Sequence, residues 1–227
     1  MVMFERALQV FAKKRYLFAL SVLFSHAAIS ANIDLVIKDQ HGMVLPNAVV
    51  EIGQANTAFK PTNPSVKKLP VAVMDQVNKQ FLPELLIVQQ GQLVNFPNSD
   101  NIRHNVYSFS SAKSFQLKLY SGQPKEPIIF DTQGVVVLGC NIHDSMVGYI
   151  YVAKSEQVYK TDKNGVVSLP VTTQPLQISI WHALQTAPLE NKKMMNIEPQ
   201  AILPITINTS SPAPRNTFGS QFKGGND

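Results

Sequence analysis

The sequence predicts an all-β protein, a sandwich or barrel, and three observations carry that expectation. Short segments alternate apolar and polar residues with a period of two, "IDLVIKD" (33–39) and "SFQLKLY" (114–120) being the clearest. Turn residues separate these segments at short intervals, the spacing of a sandwich or barrel. "VVVL" (135–138) is apolar on both faces, as a strand enclosed between two layers should be.

Taken in order, the first segment sets Ile33, Leu35 and Ile37 on one face and Asp34 and Lys38 on the other. A turn at Gly42 in "QHGMVLPNAVVEI" (40–52) leads to a second strand, Ala48 to Ile52. Residues 55–69 hold Pro61 and Pro64 and show no period, so they read as a linker. From Val71 the strands crowd together: "VAVMDQ", "LLIVQQGQLVNF" broken at Gly91, "HNVYSF", "SFQLKLY", "QGVVVLG" and "VGYIYVA". Past Lys154, "YKTDKNGVVSL" places a turn at Asn164-Gly165, the dipeptide favoured where two residues take positive φ. The cluster of Asp162, Asn164 and Gly165 is that turn and not a calcium loop, since the distal acidic ligand is missing. "LQISIWHA" and "AILPITIN" (201–208) are the last strands expected. The tail 209–227, rich in Ser, Pro, Gly and Asn, has too little apolar content to pack and is expected to be disordered.

The chain of 227 residues opens with Arg6, Lys13, Lys14 and Arg15, then an apolar run of nine residues from Tyr16 to Phe24, then small residues ending in Ser30-Ala31. That is the layout of a secretory signal peptide over residues 1–31, with a mature start near Asn32. The run is too short to span a bilayer, which needs about 20 residues, so no integral membrane segment is expected after cleavage. Export of this kind implies a periplasmic protein. The whole chain carries a net charge of +5. Without the leader, 16 basic and 14 acidic residues remain, a net of +2. A near-neutral mature chain gives no footprint for nucleic acid or for an anionic membrane surface.

The one cysteine, Cys140, cannot form an internal disulfide. It lies in "GCNIHDSM" (139–146), where "VVVLG" ends and just before "VGYIYVA" begins. By itself it would be a small buried hydrophobe. His143 and Met146 share its loop, and His104 opens the strand "HNVYSF" after the polar turn "PNSDNIR". A thiolate, two imidazoles and a thioether are the donors of a trigonal copper site with a weak axial ligand. Thiolate suits both copper oxidation states, neutral imidazole binds Cu(II) well, and a long methionine contact raises the potential. Met146 is the weakest member of the set, because a methionine beside a core strand usually just fills space.

"FLPELLIVQQGQLVNFPNSDNIRHNVYSF" together with "GCNIHDSMVGYIYV" resembles the cupredoxins, the plastocyanin- and amicyanin-like blue copper proteins that include methylamine-utilization-protein-like chains. The resemblance covers residues 70–153 and implies a Greek-key β-sandwich holding one type 1 copper ion. It implies His104, Cys140, His143 and Met146 as the ligands, with Asn105 tying its strand to the Cys140 loop through side-chain hydrogen bonds. Residues 32–54 and 156–208 resemble parts of one small transthyretin-like or carboxypeptidase-regulatory-like β-sandwich, into which 70–153 would be inserted.

The function expected is that of a single-electron carrier serving redox partner proteins, with His143 as the exit. An enzyme of the multicopper oxidase or nitrite reductase kind needs paired His-x-His motifs, and the chain has none. A storage, delivery or sensing module, or an accessory binding protein, is the alternative class. His41 reads as a solvated turn residue and His182 as an ordinary strand end. Phe96, Tyr107, Phe109, Phe115 and Tyr120 read as core.

Overall fold

The computed structural model describes residues 32–53, 69–170, 174–198 and 203–210. The expected leader, all but the end of the expected linker, and residues 211–227 lie outside the described residues. Within them every regular element is a strand, so the chain is all-β as its alternation predicts. In chain order the strands are β1 (Asn32–Lys38), β2 (Val49–Ile52), β3 (Ala72–Val73), β4 (Asp75–Val77), β5 (Gln80–Leu82) and β6 (Leu85–Gln89). Next come β7 (Gln92–Asn95), β8 (His104–Ser110), β9 (Lys113–Tyr120), β10 (Ile128–Phe130), β11 (Gly134–Gly139) and β12 (Val147–Ala153). The last are β13 (Val158–Lys160), β14 (Val166–Pro170), β15 (Leu176–Trp181), β16 (Lys193–Ile197) and β17 (Leu203–Thr206).

Two sheets, ordered β14-β1-β17 and β13-β2-β15-β16, share one apolar cluster. Ile33, Leu35 and Ile37 from β1 meet Val50 and Ile52 from β2 and Ile178 and Ile180 from β15 there. The period of two puts all three β1 residues on one face, and burial of that face fixes the register.

A second cluster lies between the five-stranded sheet β6-β12-β11-β8-β9 and the smaller sheet β10-β7-β3. Phe96, Phe130, Val106, Leu138 and Ile150 fill it, and Cys140 and Met146 sit in the same cluster. The opposite faces of β11 and β12 are also covered. Val135, Tyr149, Tyr151 and Ala153 pack with Val49 and Trp181, and the Trp181 indole meets the two tyrosine rings at 5.7 and 6.0 Å. This double burial is what the two-sided apolar run "VVVL" calls for.

Glu51, the third residue of β2, ties these layers together although it is charged and only 5% exposed. Its carboxylate accepts from the Tyr151 hydroxyl, from the backbone N–H groups of Lys154 and Ser155, and from Lys192 Nζ at 2.7 to 2.9 Å. Lys192 also lies over the Tyr151 ring, 4.4 Å from its centroid.

Several details differ from the sequence-based expectation. The segment "VAVMDQ" is split at the wholly buried Met74, and β5, β10 and β16 were not foreseen. Phe109 is 64% exposed, and Tyr107 beside it is half-buried, because Val106 and Ser108 take the inward positions of β8. In the Asp162–Val166 turn only Gly165 has positive φ, at 71°. Asp162 caps that turn by accepting the Asn164 and Val166 N–H groups. Thr209 opens the stretch expected to be disordered, yet it is buried, and its N–H donates to Gln40 Oε1 at 2.8 Å. Backbone pairing with Gln185, not apolar content, holds it there. His41 is exposed in its turn as expected. His182 follows directly on β15 and is buried, its ring bridging Pro46 O and the Leu184 N–H. Among the described residues, no helix is long and apolar enough to cross a membrane.

Candidate metal centre

β11 and β12 form an antiparallel pair, and the loop joining them at one end runs from Cys140 to Met146. The loop is tight: the Met146 N–H donates to His143 O at 2.9 Å. β8 lies next to β11 in the same sheet, so its first residue, His104, reaches the same end. Two segments some 36 residues apart in sequence are brought together in this way.

One ligand atom each from His104, Cys140 and His143 lies within 4.8 Å of the others. Among the described residues no other trio of His, Cys, Asp or Glu meets that condition. His104 Nδ1 is 3.7 Å from Cys140 Sγ, and the two imidazole centroids are 5.0 Å apart. His104 is wholly buried and Cys140 is 2% exposed, whereas His143 is half-buried. Met146, buried at the start of β12, packs in the same apolar cluster as Cys140. Asn105 Oδ1 accepts from the Asn141 N–H at 2.9 Å and lies 3.3 Å from Cys140 Sγ, joining β8 to the loop.

Electrostatics favour a neutral donor at His143. Burial first, then the charges of His104 and Lys79, hold its imidazole below the ordinary value against the opposing charge of Asp100. Its Nδ1 is buried and has no hydrogen-bond partner. A buried ring nitrogen in that state calls for an explanation, and a metal ion beside it supplies one. One thiolate with two imidazoles matches copper, so the residues present fit a copper ion.

Asp100 was not singled out in the sequence. Its Oδ2 lies 2.7 Å from His104 Nε2, and its carboxylate also accepts the Asn78 and Lys79 N–H groups. Burial raises its pKa, but the Lys79 N–H, His104 and the Asn78 N–H outweigh that and hold the carboxyl below its ordinary value. Nothing in "PNSDNIR" separates this aspartate from a solvated loop residue. The only cue is its place four residues before His104.

No family model and no curated protein matches the chain. Among solved structures, a copper-containing nitrite reductase from Thermus scotoductus SA-01 is similar over 38% of this chain and 23% of its own, with 24% identity and a TM-score of 0.36. A purple cupredoxin from Nitrosopumilus maritimus is similar over 36% of this chain and 99% of its own, with 22% identity and a TM-score of 0.33. Amicyanin from Paracoccus versutus is similar over 37% and 85% of the two chains, with 19% identity and a TM-score of 0.32. These neighbours are cupredoxins, and this chain spans less than a quarter of the nitrite reductase.

Proposed function

We propose that this protein is a periplasmic type 1 copper protein that passes single electrons between redox partner proteins. The observation that carries this is the convergence of His104, Cys140 and His143 within 4.8 Å, with the His143 Nδ1 buried and unpartnered. Copper held there would supply a one-electron Cu(II)/Cu(I) couple. The chain's own residues do the rest. Cys140 and Met146 are embedded in a packed core, which resists rearrangement of the donors between oxidation states. Asn105 pins the Cys140 loop to β8, and Asp100 holds the His104 ring. His143 is the most exposed of the donors and offers its edge to a partner. Periplasmic placement rests on the leader-like pattern of residues 1–31. A carrier is favoured over an enzyme because the chain has one cysteine and no His-x-His pair.

Optical and electron-spin spectra of the mature protein after Cu(II) addition test this reading. An intense blue colour supports it, and colourless protein that binds only Cu(I) points to delivery or storage instead. The Met146→Leu variant is expected to keep copper and to show a still higher reduction potential by voltammetry, since even a long, weak thioether contact favours Cu(II) more than an apolar side chain with no donor does. An unchanged potential removes Met146 from the ligand set.

A further inference from the structure

We propose that His182 is an acid-sensitive clasp: a proton taken up by its ring releases residues 208–210 from the turn that follows β15. The clasp uses none of the candidate metal ligands and needs no copper.

Both ring nitrogens of His182 are in use. Nε2 lies 3.1 Å from Pro46 O, and Nδ1 lies 3.2 Å from the Leu184 backbone nitrogen. A carbonyl oxygen only accepts and a backbone N–H only donates, so Nε2 carries the proton and Nδ1 the lone pair. The ring is therefore held neutral, and a second proton has one place to go. On Nδ1 it would face the Leu184 N–H donor to donor, and that contact must part. His182 is only 5% exposed, so water does little to stabilise the charge.

Leu184 is gripped on both sides. Its N–H meets the ring, while its carbonyl accepts the Ser210 N–H at 2.9 Å and the Ser210 hydroxyl at 3.4 Å. The Thr186 N–H donates to Asn208 O at 2.8 Å, and Gln185 bridges antiparallel to Thr209. From the other side, Gln40 Oε1 accepts the Thr209 N–H at 2.8 Å, and Gln40 Nε2 donates to Thr209 O at 2.9 Å. Ile205 and Ile207 belong to the apolar cluster and anchor β17 separately. Past Ile207 the hold is made of hydrogen bonds to the 184–186 turn and to Gln40. Freeing that stretch uncovers little apolar surface, which is the condition for local opening.

The 45–47 stretch facing the ring and the 183–187 turn carry no titratable acid or base, and Gln40 is an amide. Asp39 and His41 flank Gln40. Asp39 accepts the N–H groups of His41 and Met43 in its own turn, and His41 is exposed. Burial, the larger cause, lowers the His182 pKa from 6.5 against the opposing Pro46 carbonyl, and no charged side chain contributes. Once open, the solvated ring binds a proton at its ordinary value; closed, it resists. The clasp is thus fully in force above that value, weakens as pH falls below it, and levels off past the lowered one. One proton per opening permits up to about a tenfold rise in the open fraction per pH unit.

Amide hydrogen exchange of the mature protein from about pH 8 to pH 5, corrected for intrinsic rates, reads the clasp. Protection of Thr186, Thr209 and Ser210 is expected to fall severalfold below about pH 6.5, while the β11–β12 pairs keep theirs. His182→Gln retains a donor for Pro46 and does not titrate, so its protection is expected to stay flat. His41→Gln is expected to behave as the wild type. Flat protection in the wild type overturns the proposal, as does an undiminished pH dependence in His182→Gln. Should His182→Gln not fold, His182→Asn, which keeps an acceptor for the Leu184 N–H, takes its place. Nitrogen NMR of the wild type near pH 8 adds a result that needs no variant: a His182 proton on Nε2 is expected, and one on Nδ1 overturns the clasp.

Discussion

Cys140→Ser is expected to abolish the blue colour completely. The thiolate is the donor responsible for intense charge transfer to Cu(II), and a serine hydroxyl stays protonated at neutral pH and cannot take its place. Cys140 is small and nearly fully buried, so its replacement leaves the surrounding Leu138, Met146 and Ile150 packing largely intact. Circular dichroism matching the wild type, alongside a colourless copper-treated sample, is the expected pair of results. A serine variant that remained blue would overturn the assignment of the centre.

Glu51→Ala is expected to cost about 3–5 kcal/mol, the usual penalty for breaking a buried ion pair from one side. The variant leaves Lys192, the Tyr151 hydroxyl and two backbone N–H groups without their shared acceptor. Urea unfolding measures the loss. A change below about 1 kcal/mol would show that the network is replaceable. The same carboxylate gives a pH signature. Burial pushes the Glu51 pKa up, but the Ser155 N–H, the Tyr151 hydroxyl and Lys192 together hold it below the ordinary glutamate value. Its contribution is therefore complete above that ordinary value and is lost as pH falls through the depressed one. Acid titration of stability should be steeper in the wild type than in Glu51→Ala within that window.

Much of the candidate centre was legible because the residues that converge there are chemically scarce. One cysteine, with histidine and methionine at spacings of three on one loop, has few explanations, and "HNVYSF" supplied a histidine with no packing reason. β1 was legible because its alternation is clean, and β11 because both of its faces are apolar. What escaped notice lacks such marks. β16 is an edge strand whose residues are mostly exposed, so burial imposes no pattern on it. Phe109 looked like core because aromatic residues usually are, yet strand parity turns it outward. Glu51 gains its role only from partners distant in sequence, Tyr151 and Lys192 among them, and Asp100, four residues from His104, is held in place by the distant Asn78 and Lys79.

The wedging of Trp181 against Tyr149 and Tyr151 has a practical corollary for anyone wishing to study the stretch that carries the candidate metal centre in isolation. An excised fragment spanning 70–153 would be born with a sticky back: Val135, Tyr149 and Tyr151 would lose the indole that now shields them. A buried aromatic side chain hides on the order of 150–250 Å² in all, and losing part of that cover from two adjacent tyrosines leaves an apolar patch that favours self-association of such a piece. The minimal working unit is thus larger than the ligand-bearing sheet, and the residues outside it act as its permanent lining.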